Sequence, residues 1–428
     1  MQAVIICGGK GTRLKTLIGS KPKALVKFNN KANLKILIDI LKKNGIKNFL
    51  FLVNNFEYEI KKFLADNYND NFVIKKDENF FGTGGCIFGA KKYLQKRFLI
   101  VYSDLFVKFN FKNFIKESLL SKRSFSCVIH ANNHPFDSDT VDLDRNFNIK
   151  KIYKKNSNNY KINNAISGIY FAKKKFLDYF NFKKRKSYDL VNDVLPCLIK
   201  NSRHIYAYKT IEYIKDFGTP ERIKDIKNDI NKNKIKNLDF LHKSKAIFLD
   251  RDGVINQENR KIKNFKNFKI LPNISKAIKK INNNKILCFV VSNQSGLARK
   301  HFTLFDLLKI ISKLDNYLSK KKAYIDDFLI CPHYDNLKYK NTNYSFFSKF
   351  RKPNPGMITS LVSKYRINIK KSYFIGDTDI DVLTGKKVGL KTILVEGPKI
   401  KDYKINIKPN YKVKDLNSAV DLILKKTN

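Results

Sequence analysis

At 428 residues, 43% of them hydrophobic, the chain is too long for one ordinary core, and its length predicts two domains or three. The 86 Lys and Arg against 37 Asp and Glu give a formal charge of +49, which points first to a polyanionic partner. The basic residues are dispersed among Asn, Ile, Phe and Tyr rather than gathered in a tail or on one helix face, which argues for a compositional bias and against a dedicated nucleic-acid stripe.

The chain enters a strand with no basic-then-apolar leader, and no stretch reaches about 18 apolar residues, so a cytoplasmic protein without a membrane partner is expected. Its six cysteines (Cys7, Cys86, Cys127, Cys197, Cys288, Cys331) include no C-x-x-C pair and read as buried free thiols. In chain order, a strand at Ala3 to Cys7, a helix at Leu34 to Lys43 and a strand at Phe49 to Val53 open an alternation that predicts a mostly parallel sheet with crossover helices. The first strand runs into Gly8-Gly9-Lys10-Gly11-Thr12-Arg13-Leu14. Glycines there let backbone amides surround phosphate oxygens, and Arg13 adds a forked cation, so a triphosphate is the natural occupant. Alone, such a turn equally describes an ordinary strand-to-helix connection. Lys21-Pro22-Lys23 adds a second basic strap. Asp104 ends the apolar strand Val101 to Ser103, and Asp216 supplies a second strand-end carboxylate within Lys215-Asp216-Phe217-Gly218-Thr219-Pro220. Ligands bind at strand ends of open α/β sheets.

These elements resemble the sugar-phosphate nucleotidyltransferases over about residues 1–225, with a Rossmann-like, GT-A-like α/β fold. The resemblance implies nucleotide contacts from Gly8, Gly9, Gly11, Thr12, Arg13 and Lys23, with Arg13 and Lys23 at the reacting phosphates and Gly82, Thr83 and Gly84 against the base. It implies Mg²⁺ on Asp104 and Asp216, and sugar-phosphate contacts from Lys155 and Gly168. Two departures stand out: Lys154 replaces the usual Glu of an E-K-P tripeptide, and the Asn that normally precedes the Gly168 run is missing. Glu78 is a candidate acceptor for the guanine edge.

From Ile223 to Lys245 the sequence turns rich in Lys and Asn with few strong apolar positions, so residues 226–243 are expected to link the first domain to a second at 244–428. Strands are then predicted at Ala246 to Leu249, Ile286 to Val291, Phe328 to Ile330, Tyr373 to Ile375 and Thr392 to Val395, again as a parallel sheet. The first of them ends in Asp250-Arg251-Asp252-Gly253. Carboxylates two apart at a strand end share a face, where one attacks phosphorus and the other shuttles a proton. Ser292-Asn293 follows at the next strand end, then Arg351-Lys352-Pro353, then Gly376-Asp377 with Asp381. Four elements in this order resemble the haloacid dehalogenase phosphatases, a second Rossmannoid fold. The resemblance implies Asp250 as nucleophile, Asp252 as general acid and base, and Ser292 and Lys352 on the transferring phosphoryl group. Mg²⁺ would sit on Asp250, Asp377 and the backbone carbonyl of Asp252, with Asp381 in support.

The stretches Asp250 to Asn256, Ser292 to Arg299 and Arg351 to Met357 are similar to the heptose bisphosphate and histidinol phosphate phosphatases, which makes Asn293, Arg299 and Arg351 candidates for substrate phosphate. That subgroup carries a zinc loop, C-x-H followed by C-x-C. Here Cys331-Pro332-His333 is kept but Ser348 and Phe350 stand at the later positions, and two ligands do not make a structural site, so zinc is not expected. A phosphatase that leaves heptose 1-phosphate would feed a nucleotidyltransferase directly. The resemblance therefore implies a bifunctional enzyme of nucleotide-activated heptose synthesis, acting on sugar phosphates and an NTP, GTP being favoured, with no specific nucleic acid as partner. Two other readings stay open: a mannose 1-phosphate enzyme joined to a histidinol phosphatase, and a basic nucleic-acid-binding protein with relict enzyme folds, motivated by stretches such as Lys261 to Lys269.

Overall fold

The computed structural model describes all residues except 9–13, 15–17, 20, 55, 71, 77–80, 157–161, 258–267, 336–343, 345, 397–406 and 427–428. It divides into two compact units, the first being Met1–His130, Phe136–Tyr160 and Asn164–Phe240, the second Ala131–Pro135, Lys161–Asn163 and Leu241–Asn428.

In the first unit, β1 (Gln2–Ile6) lies parallel between β2 (Asn48–Val53) and β4 (Arg97–Tyr102), with β3 (Val73–Lys76) outside β2. Alternation along β1 supplies both faces. Ala3 and Ile5 pack with Leu34, Leu37, Ile38 and Leu41 of helix α1 (Asn33–Lys43), while Val4 packs with Ile87, Leu190 and Leu195 on the other side. A strand buried on both faces reads as a continuous apolar run. Beyond β4 the expected parallel order ends. β9 (Ala165–Lys173) pairs antiparallel with β4 and with β6 (Phe125–His130), and the hairpin β7 (Thr140–Leu143) and β8 (Ile149–Tyr153) extends that edge. With β10 (Ile205–Lys209) on β6, the sheet has nine described strands and is mixed. Periodicity reports burial and not the direction of a neighbour, which is why the parallel expectation failed here. A separate antiparallel ribbon pairs β5 (Leu105–Lys108) with β11 (Tyr213–Asp216), and helix α6 (Pro220–Asn231) follows it. Between β3 and β4 lies α3 (Gly82–Gly89).

The second unit is a six-stranded sheet, parallel throughout, in the order β14-β13-β12-β15-β16-β17, namely Asp327–Cys331, Leu287–Asn293, Ala246–Leu249, Tyr373–Gly376, Lys391–Val395 and Tyr411–Val413. The five strands predicted here all form, each within two residues of its expected ends. Ile247 and Leu249 face a cluster containing Ala277, Ile278 and Ile281, and Phe248 faces the opposite layer, where Phe289 stacks on Tyr365 at 5.3 Å. β12 is central, so its C-terminal end opens where the strand order turns, the usual ligand position in such sheets. All six cysteines are free thiols, four of them buried.

Candidate active sites

In the first unit, β1 and β4 run in register, Ile6 beside Tyr102, so Gly8 and Asp104 leave the same edge of the sheet. The β5–β11 ribbon sets Asp216 opposite Leu105, and the Phe217 amide donates to the Asp104 carbonyl at 3.1 Å. Two carboxylates 112 positions apart in the sequence are thereby brought onto neighbouring backbone. Burial raises the Asp104 carboxyl, and the Asp216 charge adds to this against the pull of Lys23, whose Nζ lies 3.8 Å from Asp104 Oδ2. Adjacent hard carboxylate oxygens, one of them unwilling to carry its charge unaided, suit a divalent cation such as Mg²⁺.

Sequence reasoning missed Arg222. It stands in the first turn of α6, its guanidinium paired through one nitrogen with Asp216 and through the other with Asp137 at 2.6 Å. The same loop holds the Lys155 segment, because Asp139 Oδ1 accepts from the Lys155 amide at 3.0 Å and the Phe136 carbonyl from the Asn156 amide at 2.6 Å. Lys155 is itself exposed. Gly168 has φ +83°, and a Cβ there would come within 3.1 Å of the Tyr102 ring.

Gly82, Thr83 and Gly84 have a packing role. At Gly82, φ is +76° and a Cβ would lie 2.4 Å from the Tyr188 carbonyl oxygen, so only glycine lets these segments approach. The Thr83 hydroxyl donates to Asp189 Oδ2 (3.0 Å) and accepts from the Leu190 amide (2.8 Å), which anchors the π-helical turn Leu190–Val194. Gly9, Gly11, Thr12 and Arg13 lie outside the described residues, as do Glu78 and most of the stretch 261–269.

In the second unit, the Asp250 amide donates to the Ile375 carbonyl at 2.9 Å, which fixes Asp250 at the mouth between β12 and β15. Asp377 comes from the turn after β15 and Asp381 from the first turn of the helix that follows, and together with Asp250 they offer oxygens within 4.8 Å of one another. Thr378 N-caps helix α10 (Asp379–Val388) in a capping box with Asp381, and its hydroxyl reaches Asp381 Oδ2 at 2.7 Å. The other oxygen, Oδ1, accepts from Lys352 at 2.6 Å, and Lys352 also lies 2.9 Å from Asp250. Asp381 is therefore committed to holding the lysine, and Asp250 and Asp377 are left as the carboxylates that fit a hard cation. Burial would lower the Lys352 ammonium, but Asp250 and Asp381 hold it well above its ordinary range. Burial raises Asp250, with Asp381 and Asp252 adding to the effect. Gly253 is required by proximity: φ is +78°, and a Cβ would sit 1.8 Å from Asp377 Oδ2.

Asp252 faces a different set. Burial alone would raise it, yet Arg251 (2.8 Å), Asn256 (2.8 Å) and Gln294 (2.7 Å) outweigh burial and keep it below the usual carboxylate range. Gln294 also donates to Ser292 Oγ at 3.0 Å, linking Asp252 to Ser292. Asn293 is spent on structure, its side chain exchanging hydrogen bonds with the Lys352 backbone in both directions at 3.0 Å. Arg299 and Arg351 both lie over the Tyr334 ring, 5.3 and 5.1 Å from its centroid. The zinc-loop positions converge without making a metal site: Cys331 Sγ is 3.6 Å from His333 Nδ1 and 4.0 Å from Ser348 Oγ, and Phe350 brings no donor atom. A neutral hydroxyl beside two ligands does not fit tetrahedral zinc. Of the residues missed by sequence reasoning, Gln294 and Asn256 stood inside quoted motifs, and Thr378 was legible as the start of a T-x-x-D cap.

Among the described residues no helix is long and apolar enough to cross a membrane. The nucleotidyl transferase family matches residues 2–233, more than half of the chain, and the HAD-hydrolase-like family matches residues 349–419. The D-glycero-beta-D-manno-heptose-1,7-bisphosphate 7-phosphatase of Rhodopseudomonas palustris is 34% identical over 155 residues, 36% of this chain and 85% of the relative. The D-glycero-D-manno-heptose-1,7-bisphosphate 7-phosphatase of Thermosynechococcus vestitus is 29% identical over 185 residues, 42% of this chain and 94% of the relative. The crystal structure of HddC from Yersinia pseudotuberculosis is similar at 25% identity and a TM-score of 0.46, covering 54% of this chain and 99% of that one. The chain belongs to the nucleotidyl transferase family through residues 2–233 and to the D-glycero-D-manno-heptose-1,7-bisphosphate 7-phosphatases through the 155 residues it shares with the first relative, and it joins a transferase to a phosphatase.

Proposed function

We propose that the chain performs two consecutive steps of nucleotide-activated heptose synthesis in the cytoplasm. Its phosphatase removes the 7-phosphate of D-glycero-D-manno-heptose 1,7-bisphosphate. Its transferase then joins GMP from GTP to the heptose 1-phosphate and releases pyrophosphate. The observation that carries this reading is the pairing itself: the product expected of the phosphatase family, a sugar 1-phosphate, belongs to the substrate class of the other half.

In the phosphatase, an Asp250 oxygen would attack phosphorus and form an aspartyl-phosphate, while Asp252, which must first take up a proton against the partners that favour its charged form, gives that proton to the departing sugar oxygen. Asp252 would then take a proton from the water that cleaves the acyl-phosphate. Ser292 and Lys352 would hold the phosphoryl oxygens, Lys352 being kept charged and aimed by Asp381. Mg²⁺, held by Asp250 and Asp377 and by the Asp252 carbonyl, would supply the positive charge that lets a carboxylate approach a phosphate. In the transferase, Asp104 and Asp216 would hold a second Mg²⁺, Gly8 to Arg13 would enclose the triphosphate, Gly82 to Gly84 would lie against the base, and Lys23 and Lys155 would bring the sugar phosphate in line, so positioning and charge do the work without a covalent intermediate. The catalytic domains are taken as residues 1–225 and 244–428, with 226–243 between them.

The test is phosphate release by the full chain with Mg²⁺ from both anomers of heptose 1,7-bisphosphate and from histidinol phosphate, beside Asp250→Asn and Asp104→Asn. Preference for the bisphosphate, lost only in Asp250→Asn, with GTP-dependent pyrophosphate release from supplied heptose 1-phosphate lost only in Asp104→Asn, is the expected pattern. Preference for histidinol phosphate overturns the heptose assignment.

A further inference from the structure

A bisphosphate brings two dianions, and only one of them is attacked. Lys352 is already committed to Asp250 and Asp381, so the spectator phosphate needs cations of its own. Arg299 and Arg351 issue from segments that touch the reacting groups. Arg351 precedes Lys352, and Arg299 closes the turn that begins at Gln294, the partner of Asp252. Arg299 Nε is buried without a hydrogen-bond partner in the protein, a donor left over for a ligand.

Two guanidinium groups repel one another unless their charge is offset, and each lies within cation–π range of the one Tyr334 ring, which holds both like charges in one neighbourhood. The Tyr334 backbone is fixed in turn. Its amide donates to the Tyr344 carbonyl at 3.0 Å, the neighbouring His333 carbonyl accepts from Arg351 Nη1 at 3.0 Å, and the His333 ring lies 4.2 Å from that of Phe346. At the base of this loop are Cys331, His333 and Ser348, the set that does not fit zinc.

We propose that Tyr334 is the positioning residue that presents Arg299 and Arg351 as a paired cation to the phosphate that is not transferred, on a loop clasped by side-chain contacts in place of a metal ion. The inference rests on the bisphosphate reading above. It sets the specificity of the phosphatase at a ring one loop away from the chemistry. Binding the spectator dianion to both arginines offsets their like charges, so the gain appears in substrate binding and not in the chemical step.

The test uses the full chain with Mg²⁺ and measures phosphate release from heptose 1,7-bisphosphate and from heptose 7-phosphate, which lacks the spectator group. Tyr334→Leu is expected to raise KM for the bisphosphate by roughly five- to tenfold with kcat and turnover of the monophosphate nearly unchanged, and Tyr334→Phe, which keeps the ring, to behave as wild type. Combining Tyr334→Leu with Arg299→Ala should add little to Arg299→Ala alone. A wild type indifferent to the second phosphate sinks the substrate reading. A wild-type preference that survives Tyr334→Leu, or a loss that falls equally on both substrates, overturns the role of Tyr334. Metal analysis of the purified chain is expected to find zinc far below one equivalent, and stoichiometric zinc would overturn the metal-free clasp.

Discussion

Replacing Lys352 by Met removes one buried cation from a cluster of carboxylates. Lys352 and Asp381 are 3% and 2% exposed at their side chains, and Asp250 is close by at 2.9 Å. Breaking a buried ion pair by deleting one partner costs about 3–5 kcal/mol, because the remaining charge is left without compensation. For a unit of this size each kcal/mol moves the midpoint by about 2–4 °C, so the second unit should melt roughly 6–20 °C lower. The measurement is thermal unfolding of the full chain in EDTA, so that no divalent cation replaces the ammonium, with pyrophosphate release from GTP and supplied heptose 1-phosphate, assayed after Mg²⁺ is restored, tracking the first unit. Lys352→Met combined with Asp381→Asn deletes one charge of each sign and should recover most of the lost stability. Phosphate release should stay absent in both variants, because the ammonium proposed to steady the phosphoryl oxygens is gone. A midpoint for Lys352→Met within about 2 °C of wild type, or a double variant as unstable as the single one, would refute the pairing as the anchor of this site.

Gly253→Ala forces a Cβ to within 1.8 Å of Asp377 Oδ2, so the Mg²⁺ concentration for half-maximal phosphate release should rise by about tenfold or more, the scale seen when groups that orient metal ligands are disturbed; pyrophosphate release is the control. Arg222→Gln frees Asp216 and the Asp137 loop together, and the transferase should show a higher KM for the sugar phosphate, reproduced by Asp137→Asn and only partly restored by Arg222→Lys, which lacks the fork. Steady-state pyrophosphate release reads both. Raising ionic strength about tenfold, from roughly 0.05 to 0.5 M, shrinks the Debye length to roughly a third and should lower kcat/KM for the phosphorylated substrates of both halves while kcat changes little. A salt-insensitive kcat/KM would deny the +49 charge any part in substrate capture.

Sequence patterning was most legible where the physics is local. Ala246 to Leu249 is apolar throughout because both its faces are covered, and the acids after it had to emerge at a strand end. The two carboxylates of the first unit were also readable, since each follows an apolar strand. Their mutual approach was not, because it depends on β11 pairing with β5, a contact between segments more than a hundred residues apart. Arg222 escaped notice for a related reason. A basic residue in a first helical turn is unfavourable to the helix dipole, and only the folded chain shows that Asp216 and Asp137 compensate for it. Thr83 has a duty its motif does not announce: its hydroxyl is engaged with Asp189 and Leu190, a packing contact that a G-T-G pattern by itself does not reveal.

The excess of basic residues, the loudest feature of the composition, points away from the chemistry, and the scarce acids point to it. Around Asp250 the described side chains set four carboxylates (Asp250, Asp252, Asp377, Asp381) against two cations, Lys352 and Arg251. Around Asp104 they set Asp104, Asp216 and Asp137 against Lys23 and Arg222. In a chain with 86 basic residues and 37 acidic ones, these two groups of described side chains are each net acidic, with the cations proposed for the substrate phosphates, Arg13 and Lys155 in one half and Arg299 and Arg351 in the other, standing outside them. That sign would repel a phosphate ester unless a divalent cation entered first, whereas a nucleic-acid surface would place basic side chains where these acids stand. The dispersed lysines then act at long range, drawing anionic substrates toward the protein, while the carboxylate clusters decide where those substrates can react.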